Sequence, residues 1–460
     1  HLIDFDVPFG GKIEKVKLYK LNINTNSAVD QYVLEHDIFA NAGIGEIYCD
    51  DGSNRPFASD ATKFALFSTA VCELLNQHWL NLFNVIHLHD WHTAFIALHR
   101  ALNPAYASLK SLRCVYTVHN LALQGTRPFH DDDSSFESWF PGLNINESLV
   151  VDPQYNNCIN PARAGINLSD VVHVVSATYA TEVIKKSEPS LGFIGGEGLE
   201  QDLLNVAEQG RLHGIVNGCQ YDISLPKKLA YSKFVTLMKS SVLQWAAKKP
   251  NVTSADFIAM ERLNSWGLEK SAGGPVLTSV GRLTLQKVAL LIEELNGEVV
   301  LSSLLKIIES YKGKLIILGS GDSELESIMT MLMAEHDNFV FLNGYNDRLS
   351  QSIYAQGDLF LMPSSFEPCG ISQMLSMRAG QPCLVHDIGG LKDTVQHLKS
   401  GFCFSGKNKQ EQISSLKVEL SNALSLLKED KKQWSAIATN AKQQRFTWQD
   451  SIQAYLNQLY

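Results

Sequence analysis

Short runs of β-branched and apolar residues, each followed by a stretch with helical spacing, recur along this chain. Asn84-Val-Ile-His-Leu-His89, Arg113-Cys-Val-Tyr-Thr-Val-His119 and Val171-Val-His-Val-Val-Ser176 are nearly continuous apolar runs, the pattern of parallel strands buried on both faces. The same order returns at Pro275-Val-Leu-Thr-Ser-Val280, Lys314-Leu-Ile-Ile-Leu318, Asp358-Leu-Phe-Leu-Met362 and Cys383-Leu-Val-His-Asp387. Strands alternating with helices predict an α/β protein of two doubly wound domains, with ligands at the carboxyl ends of the strands. Residues 223–274 are richer in Lys and Ser and carry Lys248-Lys-Pro-Asn251 and Gly273-Gly-Pro275, which predicts a connector. The expected division is a first domain over 1–222, a linker over 223–274, a second domain over 275–430 and a closing segment over 431–460. In that segment Thr447, then Ile452, Tyr455, Leu456 and Leu459, predict a capped, docked helix.

Composition narrows the classes of ligand. A net charge of −9 argues against wholesale binding to nucleic acid or to an anionic membrane, so an anionic ligand must meet a local cationic pocket. The eight cysteines form neither a Cys-x-x-Cys pair nor a zinc-spaced cluster, which reads as reduced thiols in a cytoplasmic protein. No apolar run reaches the roughly 20 residues of a membrane span.

Candidate chemistry gathers where strands end. His87-Leu-His-Asp-Trp-His92 sets several polar groups at one such end, followed by Val118-His-Asn-Leu-Ala-Leu-Gln-Gly125. Ile215-Val-Asn-Gly218 is a turn after a strand. Ser279-Val-Gly-Arg-Leu-Thr-Leu-Gln-Lys287 supplies two cations, Arg282 and Lys287. Met362-Pro-Ser-Ser-Phe-Glu-Pro-Cys-Gly-Ile-Ser-Gln373 reads as a strand, a Pro-restricted turn presenting Glu367, and a helix start with free backbone N–H groups. Asp387-Ile-Gly-Gly-Leu-Lys-Asp-Thr-Val395 is a Gly-rich turn into a helix.

Together these segments resemble the bacterial glycogen synthase and starch synthase family of the ADP-glucose type. Its patterns H-x-H-D-W-H, V-H-N-L-A-x-Q-G, S-R-L-T-x-Q-K and P-S-x-F-E-P-C-G-L-T-Q are matched closely. The resemblance implies the GT-B fold: two Rossmann-like domains facing a cleft, with the C-terminal helix packed back on the first. It implies a retaining glucosyltransferase that carries glucose from ADP-glucose to the non-reducing end of an α-1,4-glucan, with no metal or other cofactor.

The roles implied for single residues follow the motifs. His89 contacts the transferred sugar, Asn120 and Asn217 lie on the donor side of the first domain, and Tyr345 packs on the base. Arg282 and Lys287 stabilise the departing diphosphate, while Glu367 bonds the sugar and faces a developing oxocarbenium ion. Cys369, Gly370 and Ile371, with Gly389, Gly390 and Leu391, bring backbone N–H groups to the ligand. Asp60 is either an acceptor-side carboxylate or the cap of the helix running through Phe64, Phe67 and Val71.

Departures from the family pattern are Lys63 for Arg, Gln220 for Asp, Val288 for Gly, His386 for Arg and Ile388 for Thr. The family's opening strand and Lys-x-Gly-Gly-Leu loop do not occur in this sequence, so an N-terminally truncated form is expected. Two alternatives stay open: a GT-B transferase using another nucleotide sugar, and a synthase-like glucan-binding or regulatory protein without turnover. Oligomeric state is open as well.

Overall fold

A computed structural model describes residues 1–22, 29–41, 43, 48, 49, 51, 52, 55–221 and 226–460. Alternation in Ile3–Phe9 (β1) and Lys12–Lys20 (β2) builds an antiparallel hairpin about Gly10-Gly11, with Ile3 opposite Leu18 and Phe9 opposite Lys12. Tyr32–Glu35 (β3) completes this sheet. Its inward Phe5, Val7 and Val16 share one core with the helix Ala58–Leu74 (α1).

The first lobe is organised on four parallel strands in the order β4-β5-β6-β7: Val85–His89, Arg113–Val118, Val171–Val174 and Leu212–Gly214. Three of them lie where the apolar runs predict. The helices Ala94–Leu102 (α2), Pro161–Leu168 (α3) and Ala177–Glu182 (α4) connect these strands.

The second lobe is built on Val276–Val280 (β8), Lys314–Gly319 (β9), Phe339–Asn343 (β10), Leu359–Met362 (β11), Cys383–His386 (β12) and Gly401–Phe404 (β13). They pair in parallel in the order β10-β9-β8-β11-β12-β13, so the winding reverses between β8 and β11. At such a reversal the loops after two neighbouring strands leave in opposite directions and open a crevice. Arg282 follows β8 and Glu367 follows β11. With its two Rossmann-like lobes, the chain has the GT-B architecture.

Residues 223–274 differ from expectation. Tyr231–Ala246 (α5) and Ser254–Gly267 (α6) place Phe234, Met238, Val242, Leu263 and Trp266 in the second core, so most of the expected linker is part of that lobe. Lys- and Ser-rich stretches conceal the stripe because those residues occupy the outer helix faces. The expected boundary at 222/223 lies outside the described residues.

The two strands of chain joining the lobes are tied to each other. The Cys219 N–H donates to the Phe446 carbonyl at 2.6 Å, and the Phe446 N–H donates to the Tyr221 hydroxyl at 3.0 Å. The closing helix Trp448–Gln458 (α7) then begins at Thr447, whose hydroxyl accepts from the Asp450 N–H at 3.1 Å. Tyr455 and Leu459 pack on Val115, Val171 and Ile215 of the first lobe. Ile452 and Leu456 lie on the next face of the helix and are about half exposed, at 48% and 54%. Among the described residues no helix is long and apolar enough to cross a membrane.

Candidate functional site

At the β8/β11 reversal, the turn after β11 delivers Glu367 into a nearly closed position, 5% exposed. The Ser364 hydroxyl donates to its carboxylate at 3.1 Å, and the Lys287 ammonium forms a close ion pair with the same oxygen. The Ser365 N–H and hydroxyl both donate to the Gln286 carbonyl, at 2.9 and 3.2 Å, which clamps the start of the Leu285–Ile292 helix against the Glu367 turn. Arg282, in the loop after β8, is exposed and has no hydrogen bond or ion pair among the described residues. Its charge acts on the Tyr48 phenol of the first lobe. Tyr345, at the end of β10, is 60% exposed, and its hydroxyl donates to Asp347 at 2.9 Å.

Gly389 and Gly390 are required by close backbone approach. A Cβ on Gly389 would lie 2.0 Å from the Glu367 carbonyl oxygen, and one on Gly390 would lie 2.3 Å from that of Cys369. The contact also commits the amides expected to face phosphate. The Gly390 N–H donates to the Glu367 carbonyl at 2.9 Å, and the Gly389 N–H donates to the Glu182 carboxylate, reaching across from the first lobe, at 2.9 Å. A diphosphate reaches the Gly389 amide only by displacing Glu182, whose carboxyl is pushed above its usual range by burial. Leu391 is fully buried and serves the core, Cys369 is buried, and Ile371 is half exposed. Gln373, also fully buried, donates to the carbonyls of Cys369 and Gly370 and to Thr394, so it shapes the turn after Glu367. His386 stacks on Phe404 at 4.8 Å and is held neutral by burial, with its pKa lowered to about 4, so it does not replace an Arg at phosphate.

On the first lobe the His87–His92 segment folds around Trp91. A Cβ at Gly125 would meet the Trp91 ring at 2.2 Å, so these two motifs are one packing unit. Asp90, at φ +55°, accepts the His119 N–H at 2.7 Å and so fixes the second motif to the first. His89 Nδ1 lies 3.0 Å from His119 Nε2, and burial lowers the pKa of both rings. Asn120 reaches across the cleft: its Nδ2–H donates to Gln286 Oε1 at 3.2 Å, next to Lys287. Asn217 is 9% exposed, and its side-chain oxygen has no hydrogen-bond partner among the described residues.

Asp60 departs from both expectations. It is fully buried, pairs with Lys63 at 2.7 Å and accepts the Cys49 N–H at 3.1 Å, so it neither faces an acceptor nor caps the helix, whose first turn follows Phe57. A buried carboxylate needs such partners, and here they pin Cys49 over α1. Gln373 and Ser364 lie in the Met362–Gln373 segment, whose sequence gives no sign of their roles. Glu182 had no local signal, and Asp393 lies in the Gly-rich motif without any sign of its partner: the Thr178 N–H and hydroxyl donate to Asp393 at 2.8 and 2.5 Å, and the Ser176 hydroxyl donates to the Pro368 carbonyl at 2.6 Å. These contacts join the lobes behind the cleft.

Behind His89 lie two further rings, His87 and His173, whose pKa values burial lowers to about 3 and about 4. Below about pH 6.5 the unfolded chain takes up protons that the native rings refuse, so stability falls as pH drops from there toward pH 4. The thermal midpoint is expected to fall between pH 7 and pH 5, with a shallower slope in His173→Gln. Equal slopes in the two proteins would contradict the burial of a neutral His173 ring.

Residues 1–205 match the family described as the starch synthase catalytic domain, and residues 261–444 match glycosyl transferases group 1. The glycogen synthase of Clostridioides difficile (strain 630) is 31% identical over 413 residues, covering 87% of this chain and 77% of that protein. That of Hydrogenobaculum sp. (strain Y04AAS1) is 31% identical over 458 residues, covering 97% and 85%. The catalytic domain of starch synthase IV from Arabidopsis thaliana, bound to ADP and acarbose, superposes with a TM-score of 0.69 at 24% identity over 99% of this chain and 86% of that one. Fold, motifs and relatives agree, and the chain belongs to the glycogen synthase family of glycosyltransferases.

Proposed function

We propose that this protein transfers glucose from ADP-glucose to the non-reducing end of an α-1,4-glucan with retention of configuration. The observation that carries the reading is the pair of cations in the segment after β8, at the β8/β11 reversal: exposed Arg282, without a counter-ion among the described residues, and Lys287, held by Glu367. Fixed cations there offset the diphosphate's charge as it leaves, which is where electrostatic preorganisation lowers a barrier most. Lys287 exchanges Glu367 for the diphosphate, and the freed carboxylate turns to the glucose and to the positive charge developing at its anomeric carbon. The acceptor 4-hydroxyl attacks from the face the diphosphate leaves and gives its proton to a departing phosphate oxygen, so no protein nucleophile is needed.

Tyr345 offers an exposed ring to the base, and ADP in the similar starch synthase structure is in keeping with adenine. The unpartnered Asn217 oxygen suits a sugar hydroxyl, and His89 and Asn120 complete the first-lobe wall. Closure of the lobes over the donor excludes water, which would otherwise hydrolyse the activated sugar. We divide the chain functionally into an acceptor-side lobe up to about residue 222, a nucleotide-side lobe to about residue 430 that includes α5 and α6, and the returning segment. Eight free cysteines fit a reducing, cytoplasmic setting.

The test is glucan elongation with ADP-glucose and UDP-glucose in parallel. Elongation is expected to be faster with ADP-glucose. Faster transfer from UDP-glucose would overturn the donor assignment, and glucan binding without transfer from either donor would favour a binding protein.

A further inference from the structure

The hydrogen bonds behind His89 have only one consistent direction. His173 Nε2 lies 3.1 Å from the Ile215 carbonyl oxygen, which can only accept, so Nε2 carries the proton and Nδ1 of the neutral ring is bare. Thr117 Oγ1, 2.9 Å from that bare nitrogen, must donate its single proton to it. The same oxygen therefore accepts from its other neighbour, His87 Nε2, at 2.6 Å. His87 Nδ1 is then bare as well, and the Tyr460 hydroxyl at 2.6 Å donates to it. The chain runs Tyr460, His87, Thr117, His173, Ile215 carbonyl, every proton pointing the same way. Hydrogen bonds aligned like this polarise and strengthen one another.

The hydrogen-bond chain meets groups of the proposed sugar site through His87 and at its Ile215 end. The His87 ring stacks on His89 with centroids 4.6 Å apart and planes 19° apart. The Ile215 carbonyl stands two residues before Asn217, and the Ser451 hydroxyl of α7 donates to the intervening Val216 carbonyl at 2.7 Å. Tyr460 follows α7, which arrives from the second lobe. We propose that Tyr460 and His87 are positioning residues for glucose transfer: the returning helix sets, through one directed hydrogen-bond chain, the ring of His89 and the placement of Asn217. The reaction invoked is the one proposed above, but the chain itself is a separate claim.

Tautomers and kinetics test the two claims apart. In protein labelled with 15N-histidine, the ring nitrogens of His87 and His173 are expected to report Nε2–H in both. Tyr460→Phe and Thr117→Val are expected to shift the His89 ring signals and to lower kcat by about tenfold, the upper end of one net hydrogen bond, with KM for the donor within about twofold. Thr117→Ser, which keeps the hydroxyl, restores both readouts. An Nδ1–H tautomer at either ring, or His89 signals unmoved in Tyr460→Phe, overturns the proposal whether or not the protein transfers glucose. Absence of transfer by the wild type would instead count against the proposed reaction, leaving the ring signals to decide the chain.

Discussion

Glu367→Gln is expected to lower glucose transfer by about 10²–10³-fold while ADP binds as tightly as before or more tightly. The carboxylate is nearly buried, and its partners among the described residues are the Ser364 hydroxyl and the Lys287 ammonium. An amide of the same shape keeps the hydrogen bond to Ser364 and releases Lys287 from its ion pair, so the cation meets ADP without first giving up a partner. The transition state loses the negative charge beside the anomeric carbon, and only that loss slows the chemical step. Calorimetry with ADP and initial rates with ADP-glucose read the two effects separately. A variant that loses nucleotide affinity and cooperative unfolding together would show Glu367 to be structural.

Arg282→Ala and Lys287→Ala are each expected to lower kcat by about 10²–10³-fold, but to differ in stability. Arg282 is exposed and has no partner among the described residues, so its removal should leave the unfolding free energy within about 0.5 kcal/mol of wild type. Lys287 neutralises a buried carboxylate, and removing it leaves that charge with the Ser364 hydroxyl alone, a loss of about 3 kcal/mol. Denaturant titration alongside the rates distinguishes the pair. Wild-type rates in both variants would remove the diphosphate from this crevice, and equal stability in both would contradict the Lys287–Glu367 pairing.

Seven strands were legible because parallel strands buried on both faces write themselves as apolar runs. Some left unread give a weak signal: Leu212-His-Gly214 has three residues, Gly401-Phe-Cys-Phe404 begins on a Gly, and Lys12–Lys20 alternates with lysines on its exposed face. α5 and α6 were hidden by Lys and Ser on their outer faces. At the site, the motifs that resemble the family pointed to Arg282, Lys287, Glu367 and His89, in segments at or after strand ends. They could not say what those groups touch. The Gly-Gly turn reads locally as a phosphate loop, yet its two amides are taken by Glu367 and, from 207 residues away, by Glu182. Asp60 likewise reads as an acceptor-side carboxylate or a helix cap until its pairing with Lys63 and Cys49 is seen. Partners set by the meeting of two lobes leave no local trace in sequence.

The central claim is that the diphosphate binds at the β8/β11 reversal by taking Lys287 from Glu367. A crystal structure with ADP measures this directly. The account predicts the diphosphate between Arg282 and Lys287, the Lys287–Glu367 pair opened, and adenine against Tyr345. ADP bound with that ion pair intact, or bound away from Arg282, would contradict it.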